Sequence, residues 1–354
     1  MAYVAVSGGK EAIEESIKLL SYYRSGTDKD LEIEAIEKKF SLLIDRVMGE
    51  AGLYSKSYAA LALKQCEGSI EEAVFLLRAY RSTLTRNYYT NAVNTNEMRI
   101  VRRISAAFKD IAGGQMLGAS YDYTHRLIDF NIDKEDPCEL HKTTQETLQA
   151  QIPEEIVPCP RVSDELRKEG LIDRCAENDQ TPCDVTANML EFPADRSARL
   201  QTLARADTGF ISGLAYSTLR GFGQVHPTVG ELRSGYVELT VPYQHGENES
   251  IYIGEILITE VECFNSVDDS NRLKFAVGYG AVFGRCETKA IAMAVVDYEL
   301  NCEGPYPTQN EEFVLMHGDS LEMNGFISHL KLPHYVSFQS KLDSVRKTRG
   351  PSDE

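Results

Sequence analysis

Over residues 10–24, 31–48 and 55–66, apolar side chains recur every third or fourth position, the period of one buried face of an α-helix. Ser69-Ile70-Glu71-Glu72 places a serine three residues ahead of a carboxylate, the pattern of a capping box, and predicts a helix running to about residue 84. The same reading predicts a helix over 97–109, ended by Gly113-Gly114. Beyond that point the period changes. Residues 121–130 alternate and predict a strand, and 236–241, 251–263 and 275–283 read as three more. Helices are expected at 196–205, 210–219 and 287–300, the last rich in alanine and valine and suited to lie on a sheet. Residues 131–190 hold many Pro, Cys, Asp and Glu with little periodicity, which predicts an irregular insertion. The expected fold is α+β. A helical N-terminal region spans 1–112, and an α+β domain spans 113–354, with a mixed, mostly antiparallel sheet and packed helices.

Composition narrows the function classes. At 354 residues the chain is long enough for two folding units with real cores. A net charge of −17 argues against a nucleic-acid binder or a protein that docks on anionic membranes, since both need a basic surface. It leaves room for a local basic pocket that takes a phosphorylated small molecule. The longest apolar run, 290–296, is too short to cross a bilayer. The N-terminus shows neither the basic leader nor the apolar core of a signal peptide, so a cytoplasmic protein is expected. The eight cysteines (66, 138, 159, 175, 183, 263, 286 and 302) include no Cys-x-x-Cys pair and are expected to be reduced thiols.

Basic residues are unevenly spread. From Arg78 to Arg126 there are eight (Arg78, Arg81, Arg86, Arg99, Arg102, Arg103, Lys109 and Arg126) against three acids. Guanidinium forks match phosphate oxygens bidentately, so this excess reads as a polyanion site, or equally as arginines paired with the protein's many carboxylates. Val4 to Lys10 and Gly113 to Gly118 each place glycines between predicted elements, as phosphate-binding loops and ordinary turns both do. The densest polar run, residues 220–236, is read as a glycine-rich loop leading into a strand and carries Arg220, His226, Glu231 and Arg233. Breaking an N-glycosidic bond needs a carboxylate beside an oxocarbenium-like centre and a group that protonates or binds the departing base. Glu231, Asp122 and Asp207 are candidates for the first task, and His226 or His125 for the second. Near the end, His329-Leu330-Lys331-Leu332-Pro333-His334 sets two histidines five apart, which on one helix would diverge by about 140°. Pro333 forces a turn there and can fold the imidazoles together as two metal ligands, with the remaining ligands supplied from elsewhere.

Four segments, 70–85, 98–130, 214–236 and 329–338, make the chain resemble the PhnI family, the I subunit of the bacterial carbon–phosphorus lyase core complex. The similarity runs in order over nearly the whole chain and departs from the pattern at 131–190. The resemblance implies a nucleosidase-like role in phosphonate catabolism. With the G, H and L subunits, such a chain displaces adenine from MgATP by an alkylphosphonate, giving ribose 1-methylphosphonate 5-triphosphate. Alone it hydrolyses ATP or GTP to free base and ribose 5-triphosphate. It further implies contact with the J subunit, which carries the iron–sulfur chemistry; this chain would hold no iron–sulfur cluster. His329 and His334 would bind a zinc ion shared with that partner. On this reading Glu231, Asp122 and His226 are the catalytic candidates. Arg78, Arg81, Arg102, Arg103, Lys109, Arg126, Arg220 and Arg233 are the candidates for holding phosphate or phosphonate. The alternative is a non-catalytic scaffold that completes the J subunit's metal site and active site.

Overall fold

The computed structural model describes residues 9–26, 30–149, 159–173, 181–243, 249–269, 272–332 and 335–349. In chain order, its elements begin with helices α1 (Gly9–Ser25), α2 (Ile33–Lys39), α3 (Ser41–Ala51), α4 (Lys56–Gln65) and α5 (Ile70–Thr83). Strand β1 (Arg99–Ile104) and helices α6 (Pro137–Gln149), α7 (Val162–Lys168), α8 (Arg196–Arg205) and α9 (Thr208–Ser217) follow. Then come β2 (Thr228–Pro242), β3 (Ser250–Asp269), β4 (Arg272–Phe283) and α10 (Glu287–Glu299), and finally α11 (Glu311–His317), α12 (Ser320–Ser328) and α13 (Tyr335–Lys347). This is an α+β fold. The chain forms two compact units, each assembled from separated stretches: residues 1–87, 182–214 and 305–354 in one, and 88–181 and 215–304 in the other.

The first unit is helical. Ile36, Ile44, Val47, Met48, Leu63 and Val74 of α2 to α5 are buried together, with alanines filling the close approaches between helices. Ser55 and Ser69 each accept a main-chain N–H at the start of α4 and α5, from Tyr58 and Glu72, both at 3.4 Å. The single helix expected over 31–48 is two, because the chain bends at Phe40 (φ −109°, ψ 37°). α3 ends at Gly52, whose φ of +64° suits glycine. Leu53 N–H returns to Met48 O at 3.2 Å and Gly52 N–H to Gly49 O at 3.2 Å, which closes the helix as a Schellman motif.

The second unit is an antiparallel sheet in the order β1-β2-β3-β4, with α10 laid across β3 and β4. Gly278 and Gly280 of β4 allow that close approach: a Cβ on either would run into the carbonyl oxygen of Ala294 or Ala290 in α10. The edge of β4 is covered at Tyr279, whose N–H donates to Asp297 of α10 at 2.9 Å.

Four sequence expectations change here. Residues 99–104 form a strand rather than part of a helix, because β-branched Ile100 and Ile104 pair with β2, a partner more than a hundred residues away. Residues 121–130 form exposed turns and coil, with no ladder partner among the described residues to make their alternation a strand. β2 begins at Thr228, so Glu231 and Arg233 sit inside a strand rather than in the loop before it. Within 131–190, α6 and α7 are regular helices.

Candidate functional site

Alternation along the strands of the second unit sends successive charged residues to opposite faces of the sheet. Glu231 pairs with Glu262 across β2 and β3, Glu262 with Tyr279 across β3 and β4, and Arg233 stands between Arg103 and Glu260. All of these share one face. Arg103, 0% exposed, donates from Nε to Glu231 Oε1 at 2.5 Å and from its other nitrogens to the carbonyls of Ala112, Gly114 and Pro160. The second Glu231 oxygen accepts the Val162 N–H at 3.1 Å, where α7 begins. Arg233, 1% exposed, donates to Glu260 at 2.9 Å and to Thr95 O at 3.0 Å. Glu260 also accepts from Arg161, from the Thr95 hydroxyl and from Tyr279. Burial, then the neighbouring Glu260, pushes the Tyr279 hydroxyl well above its ordinary range, so it stays a donor. Burial also raises the Glu262 carboxyl, against a hydrogen bond from Ser163 and the charge of Arg161. The result is a closed layer of paired charges. Arg103 pairs with Glu231 and Arg233 with Glu260 within it.

The opposite face carries the open part of the site. Arg102 follows the β-bulge of β1 and points away from Arg103. It donates to Asp122 at 2.5 Å, forms an ion pair with Glu287 at the start of α10 at 2.6 Å, and donates to Leu117 O. Asp122 lies in the exposed 118–130 segment with its side chain 49% accessible, and Arg126 approaches it at 3.6 Å. Gly118 fixes the path of that segment: at φ +60°, a Cβ there would meet Val101 O at 2.8 Å. A hydrogen bond from Ser120, followed by Arg102 and Arg126, holds the Asp122 carboxyl below its usual range. A half-exposed carboxylate gripped by two guanidiniums, with His125 exposed beside it, can face a developing positive charge and a phosphoryl oxygen together. Lys109 is exposed in the preceding loop.

Arg220 and His226 are exposed in the segment after α9. Buried Glu299 of α10 accepts the N–H groups of Gln224 at 3.0 Å and Val225 at 3.1 Å, which fixes the main chain just before His226. Arg78 and Arg81 belong to the other, helical unit. There Arg78 donates to Glu50 O at 3.1 and 2.7 Å, to Arg205 O at 3.1 Å and to Asp319. Asp207, the third candidate carboxylate, is in that unit too: it pairs with Arg46 at 3.1 Å and caps α9 through the Phe210 N–H at 2.6 Å.

His329 is the C-cap of α12, and its Nδ1 donates to Phe326 O. A main-chain contact of this kind is one that a metal-binding imidazole makes when it ligates through Nε2. His334 lies outside the described residues. Among the described residues no three His, Cys, Asp or Glu side chains are grouped to hold a metal ion.

Several residues that shape these sites escaped the sequence reading. Glu260 and Glu287 pair with candidate arginines from distant parts of the chain, Arg161 joins Glu260, and Glu299 holds the main chain just before His226. One signal was present: Glu260 and Glu262, two apart in an expected strand, stand on one face and demand cations there. Arg205 lies far from the counted basic segment, and only the fold brings it near Arg81.

The family model for bacterial phosphonate metabolism protein (PhnI) matches residues 2–352. An Escherichia coli (strain K12) protein named alpha-D-ribose 1-methylphosphonate 5-triphosphate synthase subunit PhnI is 44% identical, covering 98% of each chain. A Rhizobium meliloti (strain 1021) protein of the same name is 43% identical over 99% of this chain and 96% of its own. A Stutzerimonas stutzeri protein named "Putative C-P lyase subunit protein HtxH" is 43% identical with the same coverage. Matched from end to end by the family model and by these relatives, the chain belongs to the PhnI family of bacterial phosphonate metabolism proteins.

Proposed function

We propose that this chain is the nucleosidase-like subunit of a carbon–phosphorus lyase assembly, and that it displaces adenine from MgATP by an alkylphosphonate. The observation that carries the reading is the full-length match to relatives named as subunits of a synthase for ribose 1-methylphosphonate 5-triphosphate. That product keeps the triphosphate at C5 and carries the phosphonate at C1. A phosphonate oxygen therefore forms the new bond to C1 while the C1–N9 bond breaks, its electron pair leaving with adenine, which takes up a proton. A single displacement on a β-nucleotide inverts the anomeric centre, and the α prefix in the relatives' name is what inversion gives.

Asp122 is the accessible carboxylate and is placed beside the cationic sugar, with Arg126 and Arg102 orienting it and meeting phosphonate oxygens. Glu231 acts from within the closed layer, where with Arg103 and Arg233 it holds β1, β2 and α7 in place. His226 is assigned to the departing base, and Arg220 and Lys109 to phosphate oxygens. Magnesium enters with ATP. His329 and His334 would hold zinc together with ligands of the J subunit; zinc supplies Lewis acidity at that shared site. The G, H and L subunits complete the assembly, in the cytoplasm where MgATP is plentiful. None of the described helices is long and apolar enough to cross a membrane.

A second reading, that the chain is a scaffold for the J subunit, is favoured by the exposed Leu127, Ile128 and Phe130 beside Asp122, which suit a protein partner. Chromatography of the purified chain and of the assembly incubated with MgATP separates the two. Free adenine above the buffer rate, reduced about a hundredfold or more by Asp122→Asn, supports the nucleosidase. Release at the buffer rate by both preparations supports the scaffold.

A further inference from the structure

In the helical unit, Arg78 and Arg81 of α5 and Arg205 of α8 gather at the end of α3, with Arg86 following α5 in the chain. Two are fully engaged. Arg78 reaches Glu50 O, Arg205 O and Asp319, and Arg86 engages Asp184 and the Thr186 hydroxyl. Burial opposes the charged form of Asp319, but Arg78 and the N–H groups of Glu322 and Leu321 outweigh it and hold the carboxyl below its ordinary value.

Arg81 and Arg205 differ. Among the described residues neither forms an ion pair. Arg81 Nη1 meets only the Gly52 carbonyl at 3.5 Å, and Arg205 Nη1 the Val185 carbonyl at 3.5 Å. Arg205 Nε is buried with no hydrogen-bond partner. Both side chains converge on Gly52: Arg81 Nη1 and Arg205 Nε each lie 3.2 Å from the point a Cβ there would occupy, so they are no more than twice that distance apart. Two cations this close, partly removed from water and in an ion pair with no carboxylate among the described residues, repel each other, and the pull of Asp184 and Asp319 on them is the smaller effect. Burial, then Arg78 and Arg81, lowers Arg205 to about 10. A bound anion would remove this repulsion and give the buried Nε its missing acceptor.

We propose that Arg81 and Arg205, braced by Arg78, form a receptor for the phosphoryl oxygens of an oligophosphate. Two converging guanidinium forks present more donors than one carboxylate can accept and suit the several oxygens of a phosphate chain. In a protein of net charge −17, a dense local cluster of arginines is also what draws a multiply charged anion against the overall field. The choice of an oligophosphate rests on the nucleotide reading above. The arginine cluster itself is independent of that reading.

The test is calorimetry of the assembled complex, at low ionic strength, with inorganic tripolyphosphate, ATP and adenosine as separate probes. Tripolyphosphate and ATP are expected to bind, adenosine to bind at least tenfold more weakly than ATP, and Arg81→Gln or Arg205→Gln to weaken tripolyphosphate about tenfold each. Arg205→Lys should fall between, since it keeps charge and loses the fork. Tripolyphosphate should also raise the melting temperature of the unsubstituted complex and leave that of Arg81→Gln/Arg205→Gln unmoved, which separates loss of the site from loss of folding. No heat with tripolyphosphate, or equal affinity in the substituted complexes, overturns the proposal. Base release from MgATP is followed in the same samples. Adenine release without arginine-dependent tripolyphosphate binding removes this receptor and leaves the nucleosidase reading standing. Arginine-dependent binding without adenine release does the reverse.

Discussion

Arg103 and Glu231 show what a buried ion pair asks of a protein. Each is almost wholly removed from water, and each is held by main-chain groups as well as by the other. Replacing one partner leaves a buried charge without compensation, which costs about 3–5 kcal/mol, whereas replacing both by apolar residues of similar size costs far less. Glu231→Leu is therefore expected to lower the urea midpoint strongly, and Arg103→Met/Glu231→Leu to recover much of the loss. If the double replacement is as unstable as the sum of the singles, the pair is not coupled as described. Asp319 gives a pH signature. Its folded-state value is depressed, so its contribution is present above the unfolded value near 3.8 and is lost as pH falls through that value towards the folded one. Asp319→Asn should cost about 1–2 kcal/mol at pH 7, while narrowing the gap in stability between pH 6 and pH 3 relative to the unsubstituted chain. An unchanged gap in urea titrations at the two pH values would contradict the Arg78–Asp319 pairing.

The elements divide by how local their causes are. The helices around Ile44, Val47 and Val74, and α10, were legible because a 3.6-residue period and capping serines act within one stretch of chain. β3 and β4 were legible from alternation, although β2 was read too short. Glu231 and Arg233 make its first half look like a polar loop, and only Arg103 and Glu260, each distant in sequence, make those charges tolerable in a buried strand. β1 was read as helix for the same reason, since Arg102 and Arg103 look alike in sequence while the sheet sends them to opposite faces. The candidate residues were thus recognisable by type, but their division into closed layer and open face came from strand pairing. A packing test belongs at this scale: Gly280→Val should force α10 away from β4 and cost about 1–3 kcal/mol, read as a lower melting temperature. A neutral effect would show that α10 does not sit where its contacts place it.

For the whole molecule, the excess of acids and the burial of its key arginines belong together. Arg103 and Arg233 organise the sheet unit from within, while buried Arg102 anchors Asp122, and Asp122 and Arg126 meet solvent. The family and the end-to-end match to synthase subunits make the displacement of a purine from its ribose the central chemical claim. The most direct test follows the assembled complex with MgATP and methylphosphonate by ³¹P NMR, with adenine quantified in the same tube. The account predicts one free adenine for each new phosphonate ester, formed with α configuration and an intact triphosphate, and loss of both signals with Asp122→Asn. Cleavage of ATP to ADP and phosphate with no adenine, or a β-configured ester, would contradict it.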